Sequence, residues 1–372
     1  MIDLDNYEAV ARIVVIGVGG AGSNAVNRMI DENINSVEFY VANTDRQALA
    51  TSKAPNRIVL GEDLTEGLGA GGEPSVGKQA AEASTEEIRQ IVRGANMVFI
   101  AAGMGGGTGT GAAPVIARVA KEEGALTIAI VTRPFTFEGK KRIAHSVEGL
   151  NELKNAVDSI IIVSNDKLLM VNGTAPISEA FSESDRVLAQ SVRTVTDLIL
   201  MPAVINLDFA DVRNTLKDSG IALIGFGMGS GSTKAQDAAQ NAISSPLLEA
   251  SINGARRAIC AVTCGKSVTL YEAQTTVDHI IEAAGGQLDI KFGVSINDQL
   301  DDQILVSVIA SDFDKDFDFT VVPTYNKPFK TASMEQSETI VTPSDEPSFE
   351  EKDEDSIADD ILPDFLKGLN IE

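Results

Sequence analysis

The chain has 372 residues and a net charge of −24, with 44% hydrophobic residues, 5% aromatics and no tryptophan. That length predicts two domains with mostly aliphatic cores, and the charge argues against a general nucleic-acid or anionic-membrane surface. No apolar run is long enough to span a bilayer and no secretory signal is recognisable, which predicts a cytoplasmic protein without membrane insertion.

Residues 1–11 read as a flexible arm. An apolar strand at 12–16 leads into Gly17-Val18-Gly19-Gly20-Ala21-Gly22, and a helix follows from about Ser23 through Val26, Met29 and Ile30. Gly17, Gly19 and Gly22 fit the Gly-x-Gly-x-x-Gly pattern, in which a helix N-terminus meets a pyrophosphate. The pattern wants an acid after the second strand. Asp45, beyond the strand at 37–42, stands somewhat late but usable, so a nicotinamide dinucleotide stays open as ligand.

A second glycine-rich loop, 67–72, presents backbone amides before a predicted helix at about 75–93. The run from Gly72 to Gln79 comes close to a P-loop. It has Gln79 where a Ser or Thr is required, and no predicted strand before it.

The chain is organised around 103–111, Gly-Met-Gly-Gly-Gly-Thr-Gly-Thr-Gly, which lies between an apolar strand at 97–102 and a helix running from Ala112 to about Gly124. Open α/β sheets bind ligands at this strand end. A bare backbone lets N–H groups approach an anion, and the helix dipole adds partial positive charge. Thr108 and Thr110 offer hydroxyls. A merely flexible turn would need neither the strand before nor the helix after.

A strand at 126–132 delivers Phe135 to Arg142 from the same sheet edge. Glu138 and Arg142 then face the ligand, unless the basic cluster is simply a solvated helix face. A further strand, 159–163, ends in Ser164-Asn165-Asp166. Five strands alternating with helices to about residue 165 predict a doubly wound parallel sheet. Several ligand loops on one edge suit a whole nucleotide better than one phosphate.

Residues 177–200 form one long predicted helix with an apolar stripe through Val187, Leu188, Val192, Val195, Leu198 and Ile199. Phe181 and Asp185 lie one turn apart near its start. The ring can stack on a base and the carboxylate can accept two N–H donors from guanine; a core Phe and a surface Asp fit the spacing equally. Asp208 and Asp211 share a face at the start of the next helix, where the plain reading is an N-cap and a first-turn acid.

From Gly220 to about 310, strands near 221–225, 258–264, 289–294 and 304–309 alternate with helices at about 234–243 and 271–284. They predict a smaller α/β domain without a comparable ligand loop. Cys260 and Cys264 share a face of one of these strands and read as buried apolar residues rather than a metal or redox pair. After Ser311 acidic residues, Ser, Thr and Pro dominate and about half the net charge resides, which predicts disorder. The chain closes on the apolar motif Ile361-Leu362-Pro363-Asp364-Phe365-Leu366, a docking peptide on a tether.

Three stretches together resemble the FtsZ family, the bacterial tubulin-like division GTPases: Gly105 to Gly111, Phe137 to Arg142, and Asn206 to Arg213. The resemblance covers about 12–310 and resumes in the last dozen residues. It implies GTP or GDP held by Gly19, Gly20, Ala21, Gly22, Ser23 and Asn24, by Ala70, Gly71 and Gly72, and by Gly103 together with Gly105, Gly106, Gly107, Thr108, Gly109, Thr110 and Gly111. It implies Glu138 and Arg142 at the sugar-phosphate end, with Asn165, Phe181 and Asp185 near the guanine. It further implies head-to-tail filaments of a mid-cell division ring, in which Asn206, Asp208 and Asp211 complete the catalytic site of the next subunit. Mg2+ would accompany the nucleotide, and adaptors or membrane tethers would bind Pro363, Phe365 and Leu366.

Two departures stand out. Arg186 occupies a place where many relatives carry Asn or Asp, and the tail lacks the basic cluster often found there, which puts direct lipid contact in doubt. The expected organisation is an arm (1–11), a GTP-binding domain (12–176), a central helix (177–201), a catalytic loop and helix (202–218), a C-terminal α/β domain (219–312), an acidic linker (313–358) and a docking peptide (359–372). Two rival readings remain: an NAD-dependent oxidoreductase using Gly17, Gly19, Gly22 and Asp45, and a nucleotide sensor in which Asp208 and Asp211 are only caps.

Overall fold

The computed structural model describes residues 11–171, 176–200, 203–245, 248 and 250–313. The docking peptide, the N-terminal arm except Ala11 and the acidic linker except Phe313 lie outside the described residues; Ala11 is buried. The strands are β1 (Ile13–Val18), β2 (Glu38–Asn43), β3 (Asn56–Val59), β4 (Met97–Gly103), β5 (Leu126–Arg133), β6 (Ser159–Ser164), β7 (Gly220–Gly229), β8 (Arg257–Cys264), β9 (Asp289–Ile296) and β10 (Ile304–Ser311). The helices are α1 (Gly19–Asp31), α2 (Arg46–Ala50), α3 (Glu62–Thr65), α4 (Pro74–Ala83), α5 (Thr85–Val92), α6 (Thr108–Glu122), α7 (Lys140–Lys154), α8 (Asn165–Val171), α9 (Ile177–Leu200), α10 (Phe209–Leu216), α11 (Lys234–Ile243) and α12 (Leu270–Ala283).

The strands form one sheet in the order β3-β2-β1-β4-β5-β6-β7-β10-β8-β9. β1 to β6 are mutually parallel. β10 runs antiparallel to both β7 and β8, and β9 runs parallel to β8. The sheet narrows between β6 and β7, which share only the pairs from Ser159–Gly220 to Ile161–Ala222.

β1 shows why the central strands are apolar throughout. Val14, Ile16 and Val18 enter the core on one face of the sheet, while Ile13 and Val15 enter the core on the other. Parallel strands covered by helices on both sides have no wet face, so alternation disappears. α4 to α7, α11 and α12 contribute to the first core, and α1 and α9 to the second, with Val26, Met29, Leu188, Val192 and Val195.

The structure adds to the sequence reading. β3 is a sixth parallel strand, and α2 and α3 flank it. The single helix expected at 75–93 is two, α4 and α5, meeting at Ser84, whose side chain accepts a hydrogen bond from the Gly61 amide at 3.0 Å. Asn165 opens a further helix, α8.

Candidate functional site

Three loops converge at the C-terminal ends of β1 and β4. Gly19 opens α1, Thr108 opens α6, and the loop 67–73 leads to Pro74 at the first position of α4. Most of their glycines are needed so that these loops can touch. A Cβ on Gly19 would lie 2.9 Å from the Gly109 nitrogen, one on Gly103 would lie 2.6 Å from the Ala21 Cβ, and one on Gly107 would lie 2.8 Å from the Ala70 Cβ. The glycines of the central stretch therefore serve first to weld 19–24, 70–73 and 103–111 into one surface. Gly20, Gly71, Gly72 and Gly106 differ: a Cβ there would meet nothing within 4 Å. They border open space, beside the N-termini of α1 and α6, whose first N–H groups have no partner within their helices.

Hydroxyls lock this surface. The Thr108 and Thr44 hydroxyls share a hydrogen bond of 2.7 Å, and both residues are buried. Thr110 Oγ1 accepts the Gly105 N–H at 2.8 Å, and Ser23 Oγ donates to the Gly19 carbonyl at 2.8 Å. Thr110 and Ser23 thus brace the loops with the oxygens that the sequence offers to a ligand. Thr44 was not singled out from sequence. Its only signal there is its place at the end of the second strand.

The other side of the opening is aromatic. Phe135, fully buried, stacks on Phe137 with ring centroids 5.0 Å apart and meets Phe181 edge-on, also at 5.0 Å. This cluster ties the end of β5 to the start of α9. Asn165 is buried and accepts a hydrogen bond from the Ser184 hydroxyl at 2.9 Å. Asp185, one turn beyond Phe181, is half-buried, and burial pushes its carboxyl up to about 7 while the Arg28 guanidinium pulls it down. Glu138 accepts the Phe135 N–H at 2.9 Å and pairs with Arg142. The exposed pair Lys141–Glu73 (2.5 Å) links the start of α7 to the loop 67–73, and Lys141 holds the Glu73 carboxyl below its usual range.

Asp45 has another task. Its Oδ1 accepts the N–H groups of Gln47 (2.8 Å) and Ala48 (3.2 Å), capping α2. Capping α2 accounts for Asp45 without a ribose partner, so its presence no longer singles out the oxidoreductase reading.

Asn206, Asp208 and Asp211 lie apart in sequence from every cradle loop. The segment before them is anchored on β9: the Val204 amide donates to the Val294 carbonyl at 2.8 Å, and the Val294 amide donates to the Ile205 carbonyl at 3.0 Å. Asn206 Oδ1 accepts the Ala203 N–H at 2.7 Å. Asp208 Oδ1 accepts the Asp211 N–H at 2.8 Å, and Asp211 Oδ2 accepts the Asp208 N–H at 3.5 Å, a reciprocal capping box at the start of α10. The two carboxylates are thus held together at an accessible helix N-terminus. Among the described residues no group of three or more His, Cys, Asp or Glu is arranged to hold a metal ion. Cys260 and Cys264 are buried and free. No helix among the described residues is long and apolar enough to cross a membrane.

The open glycine walls, the adjacent helix N-termini, the aromatic cluster and Asp185 suit the phosphates and base of a nucleotide. Comparisons with known proteins give the family. The model of the tubulin/FtsZ family GTPase domain matches residues 12–173, and that of the FtsZ family C-terminal domain matches 220–314. A solved structure of an empty FtsZ dimer from M. jannaschii is 39% identical, with a TM-score of 0.75 over 81% of this chain and 88% of that one. Two structures from Haloferax volcanii share the fold at lower identity. One is CetZ2 in a GTPγS-bound protofilament, at 21% identity and a TM-score of 0.68 over 80% of this chain and 92% of that one. The other is a GDP-bound monomer of CetZ1, at 18% and 0.70 over 80% and 93%. The chain belongs to the FtsZ family and is a tubulin-like cytoskeletal GTPase.

Proposed function

We propose that this protein polymerises head to tail into division-ring filaments, with each active site completed by Asn206, Asp208 and Asp211 of the next subunit. The observation that carries this reading is the placement of the exposed large apolar side chains. Leu64 in α3, Leu68 in the loop 67–73, and Phe137 and Phe181 of the aromatic cluster are exposed on elements next to the glycine-rich loops. Val204, Met228, Leu270, Tyr271 and Ile296 gather where β7, β8 and β9 end, beside the segment that leads to Asp208. Two unlike apolar faces, each beside one half of a hydrolytic apparatus, suit a heterologous contact that repeats into a filament. The M. jannaschii dimer and the CetZ2 protofilament are assemblies of similar chains.

In this reading the amides around Gly20, Gly71, Gly72 and Gly106 and the start of α6 hold the phosphates, while Phe181 and Asp185 take the guanine. Mg2+, bound with the nucleotide, supplies charge neutralisation. Asp208 and Asp211 of the adjoining subunit orient and polarise the attacking water. Pro363, Phe365 and Leu366 bind adaptors or membrane tethers that hold the filaments at mid-cell. Residues 12–176 and 219–312 act as separate domains joined through α9.

The test is GTP turnover per molecule across a dilution series, paired with sedimentation. A steep rise above a threshold concentration, with GTP-dependent pelleting, is expected; a flat line sinks the shared-site reading. Deleting residues 359–372 should leave both readouts unchanged and abolish adaptor capture.

A further inference from the structure

β9 is the last strand of the sheet, and its outer edge is only partly covered. The Asp289 amide points inward and donates to the Arg256 carbonyl beside β8 at 2.9 Å. The Val294 amide points outward and donates to the Ile205 carbonyl at 3.0 Å. Backbone direction alternates along a strand, so Ile290 and Phe292 turn their N–H and C=O groups outward, ahead of the point where the 203–206 segment takes over. No strand among the described residues pairs with them. Their side chains are half-buried against the core that α12 also covers. An uncovered edge with apolar flanks invites another strand.

The described chain ends close to this edge. The Arg256 amide donates to the Ser311 carbonyl at 3.2 Å, Arg257 pairs with Asp312 at 3.1 Å, and Phe313 packs on the same core. Arg256 is thus bonded to the end of β10 on one side and to the start of β9 on the other. A strand outside β9 would stand three strand spacings from β10, about 14 Å, and five extended residues cover about 16 Å. Residues 312–316 are five. The residues that follow, Phe317-Asp318-Phe319-Thr320-Val321, alternate large apolar with polar side chains and favour a strand. Pro323, which has no N–H to give a ladder, stands shortly after.

We propose that residues 317–321 dock on the outer edge of β9 at Ile290 and Phe292 as an eleventh strand, parallel to β9, so that the folded body ends there and the acidic linker begins after it. Phe317, Phe319 and Val321 join Ile290 and Phe292 on the α12 side. Asp318 falls on the opposite face beside Lys291, whose other carboxylate neighbour is Asp289 at 3.4 Å. The strand is short because Ile205 already occupies the edge at Val294.

Hydrogen exchange at the Ile290 and Phe292 amides of the full chain reads this directly. Both amides should be protected, and Phe319→Pro should speed their exchange at least about tenfold while leaving Val262 in β8 unchanged. Equal rates in the two proteins would overturn the proposal. A second measurement fixes the occupant. Lys291→Cys paired with Asp318→Cys, or with Thr320→Cys to allow for a shifted register, should form a disulfide within one chain at low protein concentration, since neighbouring strands bring Cα atoms within bridging range. A bridge that forms only between chains would give the edge to a second copy, and no bridge with either partner would remove the tail from it; both results overturn the proposal.

Discussion

Glycines at the nucleotide opening and glycines in β7 do opposite jobs. At the opening, Gly20, Gly71, Gly72 and Gly106 face open space, where a Cβ would meet nothing within 4 Å. In β7, Gly225, Gly227 and Gly229 occupy alternate positions on one face, and a Cβ on each would run into the backbone of α11 at Ala242, Ala238 and Lys234. One set leaves room for a ligand and the other lets a helix lie directly on a strand. The difference teaches that glycine content alone does not mark a binding loop; what fills the missing side chain's place does.

This contrast can be broken most forcefully at Gly227. Gly227→Val should destabilise the protein by at least about 3 kcal/mol, because neither β7 nor the α11 backbone can yield enough. Gly106→Ala should stay within about 0.5 kcal/mol of the parent. Urea midpoints of the two variants check both numbers, and similar losses at both sites would erase the distinction. Gly107 lies between the extremes, since its Cβ would sit 2.8 Å from the Ala70 Cβ and 3.0 Å from the Glu73 nitrogen. Gly107→Val should push the 70–73 loop off the α6 N-terminus and abolish GTP binding, while circular dichroism stays that of the parent. Normal affinity in a folded Gly107→Val protein would remove this loop from the site.

Much of this was legible in the sequence because strand, glycine loop and helix follow one another locally. The apolar stripe of α9 and the bounds of α11 likewise depend on neighbours within a few residues. Features set at long range were not legible. β3 is four residues long, with only Ile58 buried, so it gives no alternation to detect. Ser84 breaks a helix through a bond to Gly61, and Thr44 matters through a bond to Thr108, 64 residues away. Asp208 and Asp211 are a different case: a capping box and a catalytic pair demand the same two acids at the same spacing.

Chemistry can separate those two roles. Asn caps a helix about as well as Asp, so Asp208→Asn should keep the stability of α10 yet lose turnover if the carboxylate is needed. Asp211→Ala gives up only the long 3.5 Å half of the box. It should bind GTP normally and hydrolyse it at least about a hundredfold more slowly. In the proposed filament with shared sites, small amounts of Asp211→Ala should also depress wild-type turnover. Full activity in both variants would reduce the pair to caps.

The smallest expected effect concerns pH at the base end of the opening. Burial pushes the Asp185 carboxyl up to about 7 from an ordinary 3.8, with Arg28 opposing it. An acid whose folded pKa lies above its unfolded value binds its proton more tightly in the folded protein. Asp185 therefore costs no stability below about pH 4, and its penalty grows as pH rises towards 7 and is complete above it. Guanine binding through Asp185, as proposed, should show the opposite trend with pH. Two N–H donors require an ionised carboxylate, so GTP affinity should rise between pH 6 and pH 8 by about tenfold and then level off. Asp185→Asn removes the titrating group and should bind weakly at every pH, with a flat profile. Glu138 and Arg142 are paired with each other and shared by both proteins, so any residual slope in the variant measures their contribution and that of the phosphates. A flat profile in the wild type, or an equal slope in Asp185→Asn, would move guanine recognition away from this carboxylate.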